Sequence, residues 1–244
     1  MQIIVPYLFC FVISSVAGWF VESAYRTVTE KKLINSGFLQ GPFIPVYGFG
    51  SLIIYLFYSL HLFDNPVVEI TIISVLLTAL EYVTSLVMEK VLHVKWWDYS
   101  NYPLNIDGRV CLLFSFYWVL LTLFSWFLFF PLINRVAALV PSLYLGIGSA
   151  AVVAVMVIDL FYSLAKAKAF DAIIKRLPEL LEVRIGLPRI DLRRFNDEMR
   201  HMRERITGLR FMYHIPSRWF SVRMKESIDR IVQRMKEHED GRGQ

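Results

Sequence analysis

The sequence predicts an all-α integral membrane protein of about five transmembrane helices with a helical cytoplasmic C-terminal tail. Three observations carry that prediction. Hydrophobic residues make up 56% of the 244 positions, too many for a soluble domain of this length. The apolar residues fall in long runs, and a span needs about 20 of them to cross a bilayer core. Charge is segregated: from Lys166 onward there are 19 Lys and Arg against 12 Asp and Glu, leaving 7 and 9 in the apolar part. The transmembrane domain is therefore 1–165 and the basic tail 166–244.

The first span, about 3–26, runs through Trp19, Phe20 and Glu22. It has neither a basic leader nor a small-x-small cleavage site, so it reads as a retained helix rather than a signal peptide. The second, 43–63, follows a stretch broken by Gly37, Gly41, Pro42 and Pro45. Irregular backbone at membrane depth survives only when buried in protein or lining a wet cavity, which predicts a short re-entrant or capping segment there. The third span is 66–92. A second polar loop follows, broken by Pro103 and Gly108, with Trp96, Trp97, Tyr99 and Tyr102 suited to the headgroup level. The fourth and fifth spans are 109–133 and 141–165. The tail reads as helical pieces broken at Pro178, Gly186 to Pro188, Gly208 and Pro216. Its last piece, Phe220 to Met235, repeats apolar residues at helical spacing, an amphipathic face for a partner or a membrane surface.

Basic residues set the orientation. Arg26, Lys31 and Lys32 follow the first span, and Lys90, Lys95 and Arg109 flank the loop after the third. The connection between spans two and three has no Lys or Arg, and that between four and five has only Arg135. The positive-inside rule then predicts a multi-pass protein of the cell membrane, N-terminus outside and C-terminus cytoplasmic, with both polar loops inside. Cys10 and Cys111 fall near opposite ends of their spans, which argues against a disulfide.

Carboxylates inside predicted spans are the candidate chemistry, since an ionisable group in lipid costs about 3 kcal/mol and faces a protein interior or water. Ser15, Gly18, Glu22 and Arg26 share one face of the first helix. Glu22 and Arg26 either neutralise each other across one turn or line a ligand site. Glu81 sits near mid-span with no basic residue within a turn. It is either a protonated acid hydrogen-bonded across helices or a ligand or proton-relay group. Ser85 and Glu89 continue its stripe, with Glu89 beside Lys90 read as ordinary surface chemistry. Asp159 and Ser163 form a similar pair in the fifth span.

In the second loop the candidates are Asp98, Asn105, Asp107 and Arg109. An Arg at a helix start opposes the dipole and calls for a carboxylate or phosphate. A bridge from Asp107 or Asp98 closes the loop in one reading, and capture of an anionic headgroup or substrate uses Arg109 in the other. Gly37, Gly41, Pro42, Pro45, Tyr47, Gly48 and Trp97 are expected to shape the loops. His93, Asp98 and Glu89 match no metal-ligand spacing, so no metal site is expected. The sequence has no P-loop, G-x-S-x-G or H-E-x-x-H motif, so no cofactor is named and any ATP hydrolysis falls to a partner.

Gly18-Trp19 with Glu22, Ser36-Gly37-Phe38-Leu39-Gln40-Gly41-Pro42, Pro45-Val46-Tyr47-Gly48, Glu81, Trp97-Asp98-Tyr99-Ser100 and Asn105-Ile106-Asp107-Gly108-Arg109 occur in this order. Over roughly residues 14 to 120 the chain resembles the putative ABC-transporter type IV family, the CmpB-like permease domain. The resemblance implies a polytopic permease subunit. Permeases of ABC importers dock their ATPase through a Glu-Ala-Ala loop ending I-x-L-P; Ile185-Gly186-Leu187-Pro188 has the ending without the upstream residues.

Three functions stay open on the sequence. One is a transport protein or permease subunit with a site opening to the cytoplasm. Another is a membrane enzyme acting on a lipid or isoprenoid-like substrate with a carboxylate as acid or base. The third is a scaffold or sensor that recruits a partner through its tail. Five helices are few for a complete path, so a homo-oligomer or a partner subunit, an ATPase among the candidates, is expected beside the lipid bilayer; nucleic acid is not.

Overall fold

The computed structural model describes residues 4–31, 33–92 and 95–185. Its elements are α1 (Ile4–Glu30), α2 (Pro45–Leu60), α3 (Pro66–Leu92), a two-stranded hairpin of β1 (Asn105–Ile106) and β2 (Val110–Cys111), α4 (Leu112–Phe124), α5 (Phe130–Ala138) and α6 (Ser142–Ile185). The chain divides into two compact units, Met1–Phe161 and Tyr162–Gln244. This is an all-α membrane protein, with a sheet of only two short strands among the described residues.

Among the described residues four stretches have the length and apolarity to cross a membrane: Ile4–Thr29, Pro66–Leu92, Leu112–Ala138 and Ser142–Ala169. The second expected span is shorter than the sequence predicts. Pro45 fixes its first turn, where a missing N–H costs nothing. His61, at φ 44°, ends it with its N–H on the Phe57 carbonyl. Sixteen residues make a helix of about 24 Å at 1.5 Å per residue, under the roughly 30 Å hydrocarbon core. The fourth span also shifts, because Arg109, Val110 and Cys111 belong to the hairpin, so the helix starts at Leu112.

Between α4 and α5 the helix widens into one π turn, Ser125–Phe129, with the Phe130 N–H on the Ser125 carbonyl. Pro131 follows directly and has no N–H to offer, which accounts for the altered ladder. The break expected at Pro178 does not occur, and α6 continues through it to Ile185. An internal proline removes one hydrogen bond and kinks a helix, and the Ala-, Lys- and Leu-rich flanks favour helix on both sides. The other expected breaks and the amphipathic piece at Phe220 lie outside the described residues.

The core of the first unit joins α1, α2, α3 and α5 through Cys10, Ile54, Tyr55, Phe57, Ile73, Leu77 and Phe130. Tyr55 meets Phe130 edge to face at 5.1 Å, and its hydroxyl donates to Asn134 at 3.0 Å, so the ring is buried without an orphaned polar tip. α1 and α2 approach closely through small residues. A Cβ on Gly48 would stand 2.3 Å from Ser15 Oγ and 2.8 Å from the Phe11 ring. Cys10 and Cys111 are both buried free thiols. In the second unit, Lys166 Nζ lies 4.4 Å from the centre of the Tyr162 ring.

Candidate functional site

Both long loops gather at one end of the bundle, where the Phe38 and Trp96 rings meet edge to face at 5.3 Å. The first loop, from Lys31 to Ile44, is tied down by α1. Trp19 Nε1 donates to Asn35 Oδ1 at 2.5 Å, Asn35 Nδ2 donates to the Gln40 carbonyl at 2.9 Å, and the Ser36 N–H donates to Ser23 Oγ at 3.0 Å. α6 supplies the remaining anchor. Asp159 accepts the Gln40 N–H at 3.0 Å through one oxygen and the Gly41 N–H at 2.8 Å through the other. A segment without helical hydrogen bonds thus finds partners for its backbone within the protein.

Glu81 is the centre of the site. It sits on α3 within the row Ile73, Leu77, Glu81 and Ser85, buried residues one turn apart, and its own exposure is 7%. Trp118 of α4 donates its indole N–H to Glu81 Oε2 at 2.9 Å, and the Tyr99 phenol of the second loop lies close enough to act on the carboxyl. Both groups are neutral. Glu22 of α1 approaches from the other side, accepting the Tyr47 hydroxyl at 3.4 Å. Tyr47, on the first turns of α2, lies within electrostatic range of both carboxylates, and its ring is 5.8 Å from that of Trp118. Gly18 makes room for that ring, since a Cβ there would fall 2.3 Å from Tyr47 Cγ. Two carboxylates, two phenols and one indole therefore meet where α1 to α4 and the second loop converge.

Tyr99 is held by the hairpin. Its N–H donates to the Gly108 carbonyl at 2.7 Å, and its ring stacks on Phe114 at 4.2 Å. Burial, then the charge of Glu81 and the hydrogen bond to it, push the Tyr99 phenol well above the ordinary tyrosine range. The hydroxyl stays protonated.

The hairpin turn forms on Asp107 and Gly108, both at positive φ (53° and 66°), with the Arg109 N–H on the Ile106 carbonyl at 2.9 Å. Asp-Gly is the pair that such turns favour. Arg109 then folds back onto α3. Its Nη2 contacts Glu89 Oε2 at 2.6 Å, and its Nη1 lies 3.4 Å from Asp107 Oδ2, with the side chain only 12% exposed. Tyr82 donates to Asp107 Oδ2 at 2.8 Å and lies beneath the guanidinium, 5.4 Å from ring centre to Cζ. Trp97 Nε1 donates to the Arg109 carbonyl at 2.9 Å, and Lys95 Nζ to that of Asp107 at 2.5 Å.

The sequence candidates thus separate into groups. Glu22, Tyr47 and Glu81 come together in the buried cluster. Asp107, Arg109 and Trp97 form an ion-paired strut, and Glu89, read from sequence as surface chemistry, is its α3 partner. Arg109 does not open a helix; it sits on a turn, and its carboxylate partners are Glu89 and Asp107. Asp98 accepts the N–H and hydroxyl of Ser100, while Asn105 accepts the Gly108 N–H at 3.1 Å and donates to the Tyr102 carbonyl at 2.8 Å. Both shape the loop. Arg26 is half-buried one turn beyond Glu22 and makes contacts of its own. Gly37 takes φ 97°, Gly41 lies against Asp159, Pro42 is exposed and Pro45 opens α2.

Sequence reasoning gave Tyr99 only a headgroup role and passed over Trp118. A Trp inside a span rather than at the headgroup belt was the available signal, because a buried indole N–H needs an acceptor. Among the described residues no three His, Cys, Asp or Glu gather as metal ligands; His93 lies outside those residues.

A family described as Putative ABC-transporter type IV matches residues 9–164. The match takes in α1 to α5, both loops and the apolar part of α6. Searches of curated proteins and of solved structures find no match. With more than half its length matched, carrying both loops and every residue of the buried cluster, the chain belongs to the putative ABC-transporter type IV family.

Proposed function

We propose that this chain is the membrane subunit of a transporter, that its substrate site is the cluster of Glu22, Tyr47, Glu81, Tyr99 and Trp118, and that the site opens to the cytoplasm beneath the two loops. Family membership supports a transport role in general. The observation that carries the site is Glu81: a carboxyl buried within a spanning helix, held by an indole from a second helix and approached by a phenol from a loop. Such a group is expensive in a membrane, and a packed apolar side chain would serve the fold as well.

The basic residues at the loop end favour a cytoplasmic position for it, with the N-terminus outside and the C-terminus inside. Partners are part of the reading. A second copy or another subunit completes the path, and an ATPase supplies the energy, since this sequence has no nucleotide-binding motif of its own. Arg109, engaged by Glu89 and Asp107, is turned away from the headgroup-capturing role that a lipid-modifying enzyme would give it.

The test is a deletion strain complemented with wild type or Glu81→Gln at matched protein levels. Intracellular and extracellular solute pools and the lipid profile are read by mass spectrometry. Transport predicts that deletion shifts the partition of a solute, that wild type restores it and that Glu81→Gln fails to, with lipids unchanged. An altered lipid profile with unchanged solute pools would sink the proposal.

A further inference from the structure

Deepening the transport reading, and resting on its assignment of the buried cluster as the substrate site, we infer that the site takes a cationic group of the organic ammonium class, seated between Glu81 and the rings of Tyr47, Tyr99 and Trp118. Four observations lead there. The groups that meet Glu81, the Trp118 indole and the Tyr99 phenol, are neutral, and among the described residues no cation acts on it. A buried carboxyl met only by neutral groups is costly to ionise, so a charge on it forms together with the arrival of a compensating cation, which couples the site to a cationic ligand.

The basic group nearest in the hairpin cannot provide it. Arg109 is held against Glu89 at 2.6 Å and faces Asp107 at 3.4 Å. Arg26 stands one turn from Glu22 on α1, so the case for a cation rests on Glu81 and uses Glu22 only as a second negative group that disfavours an anion.

The walls are aromatic. The Tyr47 and Trp118 rings touch, their centres 5.8 Å apart with no gap between them, and Tyr99 stacks on Phe114, so an ammonium seats against these rings beside Glu81 and not between them. Ring faces attract a desolvated ammonium, Trp most strongly, and aromatic cages are a recurring answer to quaternary nitrogen.

The fourth observation is independent of charge. Ser85 follows Glu81 by one turn on the buried face of α3 and is 0% exposed, yet its hydroxyl has no hydrogen-bond partner. A hydroxyl buried to that degree normally has one. Directed along the same face as the carboxylate, it offers a further contact to a substrate carrying a polar group beside its ammonium, such as an amino alcohol.

The experiment uses the full chain in nanodiscs. Tetramethylammonium and choline are titrated against thermal unfolding, with sodium chloride and sodium acetate at equal ionic strength as references. Binding to the native state predicts a rise of about 2–4 °C in the unfolding midpoint with either ammonium probe at saturation and none with the sodium salts. Glu81→Gln should abolish the rise, while Glu81→Asp and Trp118→Phe should weaken it. Equilibrium dialysis of radiolabelled choline gives the same answer for any variant too unstable to melt cleanly.

No ammonium-specific shift in the wild type, an equal shift with sodium chloride, or an undiminished shift in Glu81→Gln would each overturn the inference. Its failure is distinguishable from failure of the transport reading. Solute pools that respond to Glu81→Gln without ammonium binding leave a transporter of another substrate class. Ammonium binding without any change in solute pools leaves a cation site on a protein that does not transport.

Discussion

At the scale of single residues, the same stripe on α3 does two kinds of work. Glu81 faces the buried cluster, and Glu89, two turns further on, holds the hairpin through Arg109. The second contact is a charge-assisted hydrogen bond beside a mostly buried guanidinium, a type worth about 1.5–3 kcal/mol. Losing it should loosen the hairpin without disturbing the helices. Native Cys111 reports this directly, because it sits on β2 opposite Asn105 and is buried. Glu89→Gln should raise the rate of maleimide labelling at Cys111 about tenfold, the equivalent of roughly 1.4 kcal/mol. The reciprocal swap Glu89→Arg with Arg109→Glu should bring the rate most of the way back. Peptide-resolved labelling separates Cys111 from Cys10, and an unchanged rate in Glu89→Gln would show that the ion pair does not hold the hairpin. The sequence displayed the charge of Arg109 but not its address. A salt bridge across 20 positions depends on the Asp107-Gly108 turn folding back, and hydropathy has no access to that.

At the scale of elements, what was legible followed from bulk apolarity, and what was missed followed from local backbone geometry. The third helix lies where the sequence puts it, because hydropathy changes abruptly at Pro66 and after Leu92. α2 is shorter than its apolar run because Pro45 and the left-handed His61 set its ends, and neither is a matter of hydrophobicity. The hairpin was missed because its two short strands give too little alternation to read, although the Asp-Gly pair marked the turn. Glycine positions distinguish a helix that is packed from one that is exposed. Gly48→Val forces Cβ and both methyls into Ser15 and Phe11 and should cost about 1–3 kcal/mol of stability by overpacking. A Cβ added to Gly148, on α6, would meet no atom within 4 Å, so Gly148→Ala should be neutral or stabilising by up to about 1 kcal/mol through helix propensity. Unfolding of the two variants in mixed micelles tests the contrast. Equal losses at both sites would mean that α1 and α2 are not closely packed at Gly48.

For the whole molecule, the decisive question is whether the short helix crosses. The two polar loops share one end of the bundle through Phe38 and Trp96, so an even number of crossings separates them. α2 and α3 provide two only if α2, at about 24 Å, reaches the far surface, which calls for local thinning of the bilayer or burial of its ends by neighbours. The buried face of α2, from Gly48 through Ile54 to Phe57, supports the crossing because it packs along α1 and α3 rather than ending in lipid. Single cysteines in a background lacking Cys10 and Cys111 test this. Leu33→Cys and Leu104→Cys, at exposed positions in the two loops, should react with a membrane-impermeant maleimide only in inverted vesicles. Asp64→Cys, between α2 and α3, and Leu139→Cys, after α5, should react in intact cells. If α2 is instead re-entrant, Asp64→Cys joins Leu33→Cys on the inner face. A single α3 crossing would then place Leu104 on the outer face, opposite Leu33, which the Phe38–Trp96 contact forbids. The labelling pattern therefore tests the crossing of α2, the shared end of the two loops and the cytoplasmic exposure of the site in one experiment.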